Sequence, residues 1–296
     1  MAWFSVTVLT AAALAPILNG YTIHAGPPKA IVVPHASQVA SLQDVTVRGT
    51  LLRKQVIVLD PASGKRTVSL GANGGAYGIE ADGDLHFCLG VKELQPHITC
   101  EVQHATPWLS AFQGSAGQSI TASGFFRCLF EHPGFDPNDD AHIFEIHPVP
   151  AVTLAGRSMT FDVGLPDPAS IHTWLAPHPL NVQDGKIRVA YDRGTDTLTF
   201  TNMDGQDENY VRVPGIADNI HPGTGASSPS TFTLASPDIG HPIQVVALAG
   251  TNAARQLGVL TANRITLVAL RFIDLPSALK SEYVIRLLAI DVQPGP

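Results

Sequence analysis

Two short stretches of the chain carry an acidic side chain and an imidazole two residues apart. Asp84 and His86 form the first pair, and Glu145 and His147 form the second. Alternate side chains of a β-strand lie on one face, so each pair points in one direction. If the two strands approach each other, the four groups form a divalent metal site or an acid–base pair. The alternative is structural, with the aspartate shaping a turn and the later pair making local hydrogen bonds at a strand end.

The elements that must position these side chains follow an order that occurs twice. A strand, a short helix, a long strand and a closing strand make up the second half of a small five-stranded barrel, and in the first half of the chain one further strand precedes them. In the first half of the chain these elements fall at residues 85–89, 98–102, 108–112, 119–128 and 142–147. In the second half the order returns at residues 243–248, 252–260, 264–273 and 283–292. The predicted fold is therefore mainly β, with two small barrel modules that each contain one short crossover helix.

Three segments of the sequence resemble those of a known group of proteins. They read Asp-Gly-Asp-Leu-His-Phe at 82–87, Ile-Thr-Ala-Ser-Gly-Phe-Phe at 120–126 and Phe-Glu-Ile-His-Pro-Val at 144–149. The pattern resembles small exported bacterial β-proteins whose layout is similar to the oligonucleotide/oligosaccharide-binding (OB) barrel. The resemblance covers residues 45–150, and the second module matches only by its order of elements. It implies a binding groove across the second and third strands, but no particular ligand.

The chain of 296 residues has room for two domains. Residues 1–25 are predicted to be a signal peptide, because residues 3–18 are apolar over the length of a signal core. A retained lipid-facing anchor and an ordinary buried segment are the alternatives, since no Lys or Arg precedes Lys29. Residues 26–44 are predicted to be a linker broken by three prolines. The first OB-like module is predicted at 45–150 and the second at 161–293, with a long surface loop at 214–236.

Composition restricts the partners. The formal net charge is −7 at pH 7, and the basic residues are scattered, so general nucleic-acid binding is not expected. A base- or sugar-binding face would instead gather arginine and aromatic side chains on one open surface. The predicted ligand-binding residues are Arg48, Arg53, Arg66, Tyr77, Trp108 and Arg127. The sequence predicts no cofactor and no membrane span after signal removal, and it places the protein outside the cell or in the periplasm or envelope.

The chain has three cysteines. Cys88 and Cys100 lie on consecutive predicted strands, so a disulfide between them is geometrically conceivable and would leave Cys128 over. The alternative is that all three are small apolar core residues, a common role for cysteine. The pairing is left open.

The usual short catalytic signatures of metalloproteases, α/β-hydrolases, nucleotide-binding loops and dinucleotide folds do not occur in the sequence. The sequence therefore favours an exported, non-enzymatic protein that binds a ligand or a partner such as a protein, sugar or envelope component. The alternatives are a metal-dependent hydrolase that uses the Asp84, His86, Glu145 and His147 cluster, and a nucleic-acid- or sugar-binding OB module. The sequence leaves open the ligand, the oligomeric state, the cleavage site and whether the second module is a true OB barrel.

Overall fold

The computed structural model describes residues 7–24, 26–52, 55–59, 66–70, 77–79, 84–90, 97–103, 108–112, 114–132, 142–161, 171–173, 186–202, 210–224 and 228–295. The strands are β1 (Thr7–Thr10), β2 (Thr22–His24), β3 (Ala30–Pro34), β4 (Asp44–Leu51), β5 (Gln55–Leu59), β6 (Arg66–Leu70), β7 (Tyr77–Ile79), β8 (Leu85–Gly90), β9 (His97–Val102), β10 (Ser119–His132), β11 (His142–Ile146), β12 (Ala151–Leu154), β13 (Arg157–Thr160), β14 (Ile171–Thr173), β15 (Arg188–Asp192), β16 (Thr197–Thr201), β17 (Tyr210–His221), β18 (Ser230–Ala235), β19 (Ile243–Ala247), β20 (Arg264–Ile273) and β21 (Ile285–Pro294). The helices are α1 (Ala11–Leu18), α2 (Ala36–Ala40), α3 (Leu109–Phe112), α4 (Asn252–Gly258) and α5 (Leu275–Ala278).

The first barrel is a closed ring of five strands. Its hydrogen-bonded order is β4, β8, β9, β11 and β10, and β10 pairs back with β4 to close the ring. All pairs are antiparallel except β9 with β11, which run parallel. Helix α3 lies in the chain between β9 and β10. This order, with the crossover helix after the third strand, is that of the OB fold.

The second barrel repeats the same ring. The order is β17, β18, β19, β21 and β20, closed by β17 with β20, and β19 runs parallel to β21. Helix α4 is the crossover, and it begins where the Thr251 hydroxyl accepts a hydrogen bond from the Ala254 amide at 3.3 Å. The prediction of a mainly β protein with two OB-like barrels, each with one short helix, is confirmed.

Each barrel encloses its own apolar core, and a third apolar cluster joins the barrels. Phe125 contributes to this third cluster from the first barrel, and its ring lies 5.0 Å from that of Phe272 of the second. The two barrels therefore pack against each other through apolar outer faces, and this contact brings side chains of one barrel next to side chains of the other.

The N-terminal apolar segment packs against the first barrel. Strand β1 pairs parallel with β4, and one face of α1 is buried against β4, β8 and β9. A Cβ atom on Gly49 of β4 would lie 2.9 Å from the Cβ of Ala11, so the helix approaches the strand too closely for any larger residue there. In this structure α1, which lies within the segment predicted as a signal peptide, contributes to the core of the first barrel, and removal of the segment on export stays a prediction.

The predicted linker at 26–44 is wrong, because it contains β3 and α2. Strand β3 buries Ile31 and Val33 and pairs with β16 in a four-stranded sheet of order β15, β16, β3 and β2. Pro34 is the last residue of the strand, where it interrupts nothing. The ring of Phe200 on β16 lies 4.9 Å from that of Phe130, which attaches this sheet to the first barrel.

The predicted second module therefore holds more than one structural unit. The hairpin of β15 and β16 belongs to the four-stranded sheet, although both strands lie within the predicted module. The hairpin of β12 and β13, which precedes the predicted module, extends β10 of the first barrel. The second barrel itself runs from β17 to β21.

The predicted surface loop at 214–236 is also wrong, because β17 continues to His221 and β18 begins at Ser230. A Cβ atom on Gly215 would lie 2.6 Å from the Ala235 carbonyl oxygen, so the glycine that indicated a loop permits two strands to cross closely.

The three cysteines are free thiols and all are buried, so their interpretation as small core residues is confirmed. Cys100 is paired with Phe87, whereas Cys88 is paired with Thr99. This one-residue offset puts Cys88 and Cys100 on opposite faces of the β8–β9 hairpin, which explains why they form no disulfide.

Among the described residues, no helix has both the length and the apolar character needed to cross a membrane.

Candidate metal centre on the outer face of the first barrel

Polar side chains crowd the outer face of strands β8, β9, β10 and β11. Phe87, Cys100 and other alternate residues of these strands fill the barrel core, so the residues between them point outward. Cross-strand pairing then places His86 opposite Glu101, and Arg127 opposite Glu145. All of these outward groups are buried. We refer to Asp84, His86, Glu101, Arg127, His142, Glu145 and His147 as the polar cluster.

Three members of the polar cluster form a compact donor set. One ligand atom each from His86, Glu101 and His142 lies within 4.8 Å of the other two. The side chains come from three neighbouring strands and are 6%, 4% and 6% exposed. The two imidazole rings meet edge to face, with their centroids 5.4 Å apart. Two imidazoles and one carboxylate are a donor set that suits first-row transition metals.

A second group, formed by Asp84, Glu101 and His147, meets the same distance criterion. Here the imidazole of His147 is held between carboxylates, with Nδ1 lying 2.9 Å from Glu101 Oε2 and Nε2 lying 3.2 Å from Asp84 Oδ2. Burial by itself lowers the pKa of His147, but the carboxylates outweigh it and raise the pKa well above its usual range. A protonated imidazole donates through both nitrogens and has no lone pair for a metal ion. This group therefore favours an ion network, and the His86, Glu101 and His142 group favours a metal.

Glu145 connects the two groups. Its Oε1 accepts from Arg127 Nη1 at 3.0 Å, and its Oε2 lies 3.4 Å from His142 Nε2. Burial raises the pKa of Glu145, but the Arg127 guanidinium and the neighbouring imidazoles reverse this and hold the pKa well below its usual range. Glu145 is therefore ionised. Arg127 Nη1 also lies 2.9 Å from His147 Nδ1, but a protonated imidazole cannot accept at that nitrogen, so Nη1 donates to Glu145 and not to His147.

The second barrel closes the cluster with Tyr210, the first residue of β17. Its hydroxyl donates to Asp84 Oδ2 at 2.5 Å and accepts from Gln103 Nε2 at 2.8 Å. The same oxygen lies 3.3 Å from His147 Nε2. The polar cluster is thus completed only where the two barrels meet.

The four residues predicted as metal ligands are brought together, but they separate into two roles. His86 lies in the two-imidazole donor set, whereas Asp84 and His147 belong to the ion network and Glu145 bridges between them. Metal binding by these residues stays a prediction.

Among the described residues, the arginine and aromatic side chains predicted to bind a ligand do not gather on one open face. Arg127 is 0% exposed and ion-paired, so its prediction as an open-face ligand residue is wrong. Arg48 is exposed on β4, and Trp108 is 37% exposed with its ring 5.1 Å from that of Phe161. The predictions for Arg53 and for the side chains of Arg66 and Tyr77 lie outside the described residues.

The sequence interpretation missed Glu101, His142 and Tyr210. The sequence pattern could have indicated Glu101. It alternates with the apolar residues 98, 100 and 102, so it lies on the face of the strand opposite to the barrel core. His142 opens the closing strand of the barrel and shares no obvious spacing with the others. Tyr210 was beyond sequence reasoning, because its role depends on how two barrels pack.

No protein-family model matches the chain, and no curated protein matches it. Among solved structures, similarity is found to a deletion mutant of the single-stranded DNA binding protein from Thermus aquaticus, at 15% identity and a TM-score of 0.23, over 86% of this chain and 95% of that one. The wild-type form of the same protein gives 14% identity and a TM-score of 0.24, over 86% and 93%. These scores are too low to indicate a function. The assignment of the OB fold rests on the strand order of the two rings.

Proposed function

We propose that this protein binds one divalent transition-metal ion, such as Zn²⁺, through His86, Glu101 and His142, and that the ion has a structural role. The observation that carries the proposal is the convergence of these three ligand atoms within 4.8 Å on adjacent strands. Ligand atoms around a four-coordinate zinc ion lie about 3.3 Å apart, so a small inward movement of the side chains brings all three ligand atoms to one ion.

The contacts of Glu101 support its role as a ligand. Its Oε2 lies 2.9 Å from Nδ1 of His147, whose ring also contacts Asp84 and Glu145. Groups hydrogen-bonded to a metal ligand fix its orientation, so His147 serves to orient Glu101 as a ligand.

The burial of the ligands supports a structural rather than a catalytic role. Each of the three is at most 6% exposed, and Glu145 and the ion network occupy the space beside them. A catalytic metal keeps an open position for water or substrate, whereas a structural metal is enclosed by protein. Three ligands leave the fourth position of a tetrahedral ion unfilled, but their burial closes that position to a substrate, which favours a structural ion over a metal-dependent hydrolase.

The test is the metal content of the purified, full-length chain after removal of metal and reloading with Zn²⁺. We expect about one ion per chain for the wild type and a near-zero value for Glu101→Gln and His142→Ala. His241→Ala, which alters an exposed histidine, is the matched control and should keep the ion. His147→Gln should weaken binding by roughly 10- to 100-fold without abolishing it, as expected for a residue that orients a ligand.

Two results would contradict the proposal. The first is a wild-type protein that holds no Zn²⁺, Mn²⁺ or Fe²⁺ after reloading. The second is full metal content in both Glu101→Gln and His142→Ala, which would place the ion elsewhere. A chelator should also lower the melting temperature of the wild type and leave that of His142→Ala unchanged, because only the former has an ion to lose.

We further propose that the protein acts outside the cytoplasm, as the resemblance to small exported proteins implies. The apolar run at residues 3–18 supports export, whereas the burial of α1 in the barrel opposes cleavage after residue 25. N-terminal sequencing of the protein recovered from its native compartment tests both points.

A further inference from the structure

A cleft opens between the two barrels, away from the polar cluster. Its walls are formed by β10 of the first barrel and by β19, β20 and α5 of the second, and it encloses about 120 Å³. We refer to it as the inter-barrel cleft. Its apolar walls include Phe125, Phe126, Val246, Leu248, Phe272 and Leu275.

One carboxylate stands out on these apolar walls. Asp44, at the start of β4, lines the cleft and lies opposite Phe125 in the pairing of β4 with β10. Burial raises the pKa of this carboxyl group, and no neighbouring charge or hydrogen bond contributes to the shift. Among the described residues, no cation forms an ion pair with Asp44.

The other two charged groups of the cleft neutralise each other. Arg286 Nη2 lies 3.0 Å from Asp274 Oδ2, and both side chains line the cleft. The cleft therefore has one net negative charge, which is that of Asp44. A half-buried carboxylate beside phenylalanine rings favours a ligand that carries its own positive charge.

The size and lining of the cleft restrict the ligand further. A cavity of about 150 Å³ in an apolar protein core holds one benzene molecule, so a cleft of 120 Å³ has room for no more than a single small ring. Phe125 of the first barrel and Phe272 of the second contact each other edge to face, and together they provide an aromatic wall for a ligand ring.

We propose that the inter-barrel cleft binds a small amine with one aromatic ring, the ring lying against the paired rings of Phe125 and Phe272 and the ammonium group donating to Asp44. This site is independent of the metal centre, since the two share no residue. It gives the two-barrel arrangement a ligand-binding role that neither barrel has alone.

The experiment titrates the full-length protein with three probes of one size and different charge: benzylamine, benzyl alcohol and benzoate. Binding is followed by the chemical shifts of backbone amides at neutral pH, which also locate the site. We expect benzylamine to bind most tightly, benzyl alcohol more weakly and benzoate not measurably. The shifted amides should belong to β4, β10, β19 and α5.

Three variants separate the contributions. Asp44→Asn should weaken benzylamine by about tenfold or more and leave benzyl alcohol nearly unchanged, because only the charge is lost. Leu248→Trp should fill the cleft and abolish binding of both probes. Asp218→Asn, which neutralises an exposed aspartate of the second barrel, is the matched control and should bind like the wild type.

The proposal is overturned if the wild type binds none of the probes, or if benzoate binds as tightly as benzylamine. It is also overturned if Asp44→Asn keeps the full affinity for benzylamine. Since Asp44 has no ion-pair partner among the described residues, Asn at this position should leave the fold intact, and circular dichroism confirms that each variant is folded.

Discussion

The hydroxyl of Tyr210, in the second barrel, donates a hydrogen bond to the buried carboxylate of Asp84, in the first. Asp84 in turn contacts His147, so a single oxygen from one barrel completes a network of charges in the other. The two barrels therefore share a polar interior as well as the apolar cluster around Phe125 and Phe272.

Tyr210→Phe should destabilise the whole chain. The ring remains, but Asp84 and Gln103 each lose one buried hydrogen bond, which costs about 1–3 kcal/mol in the free energy of unfolding. Equilibrium unfolding in urea measures the loss. Tyr191→Phe is the control, because its hydroxyl bonds Asp196 near solvent and its removal should cost much less. Equal losses in the two variants would contradict the importance of the contact between the barrels.

Arg127→Met should be more damaging than the removal of both members of the ion pair. The single variant leaves the buried Glu145 carboxylate without its guanidinium, at an expected cost of roughly 3–5 kcal/mol. The double variant Arg127→Met with Glu145→Leu removes both charges and should recover part of that stability. Denaturant unfolding of all three proteins forms the test, and a double variant less stable than Arg127→Met would show that the pair is not coupled in this way.

Particular residues show how far the sequence could predict this arrangement. Alternation on β8 and β11 placed Asp84 with His86, and Glu145 with His147, because the period of a strand depends only on local geometry. The order of strands and crossover helices gave both barrels for the same reason. Pro34 and Gly215 contributed to the wrong predictions of a linker and a surface loop. Each residue favours a loop locally, but strand pairing overrides that preference. Tyr210 and the inter-barrel cleft depend on how two surfaces pack, which no local pattern encodes.

The buried thiols should make the protein less stable in alkali. Burial raises the pKa of the Cys100 and Cys128 thiols, so both stay neutral in the folded chain at a pH where the unfolded chain forms thiolates. Their contribution to stability is complete below about pH 8.5, the pKa of an unfolded cysteine, and is lost as the pH rises above it. We expect an aromatic disulfide reagent at pH 8.5 to react with none of the three thiols until urea is added. Rapid labelling of Cys128 in the native protein would show that this thiol is accessible to solvent and contradict its burial.

Leu14 of α1 should contribute to the first barrel like any core residue. It is buried against the barrel strands, so Leu14→Ala should lower the free energy of unfolding by about 2–5 kcal/mol. Ala12→Ser alters an exposed position of the same helix and should change stability little. A chain that begins at residue 26 lacks the whole helix and should be less stable than Leu14→Ala. If the shortened chain is as stable as the full one, α1 is dispensable, and export with cleavage near residue 25 gains support.

Single-stranded DNA should not bind to this protein, although the OB fold often serves that purpose. Binding without sequence preference needs a positively charged groove that follows the phosphate backbone, together with stacked aromatics. The chain instead carries a net charge of −7, and Arg127, the arginine at the centre of the first barrel's outer face, is neutralised by Glu145. Fluorescence anisotropy of a labelled thymidine oligomer in low salt should therefore stay unchanged on addition of protein. A rise in anisotropy that disappears with added salt would indicate a phosphate-binding surface and would overturn this expectation.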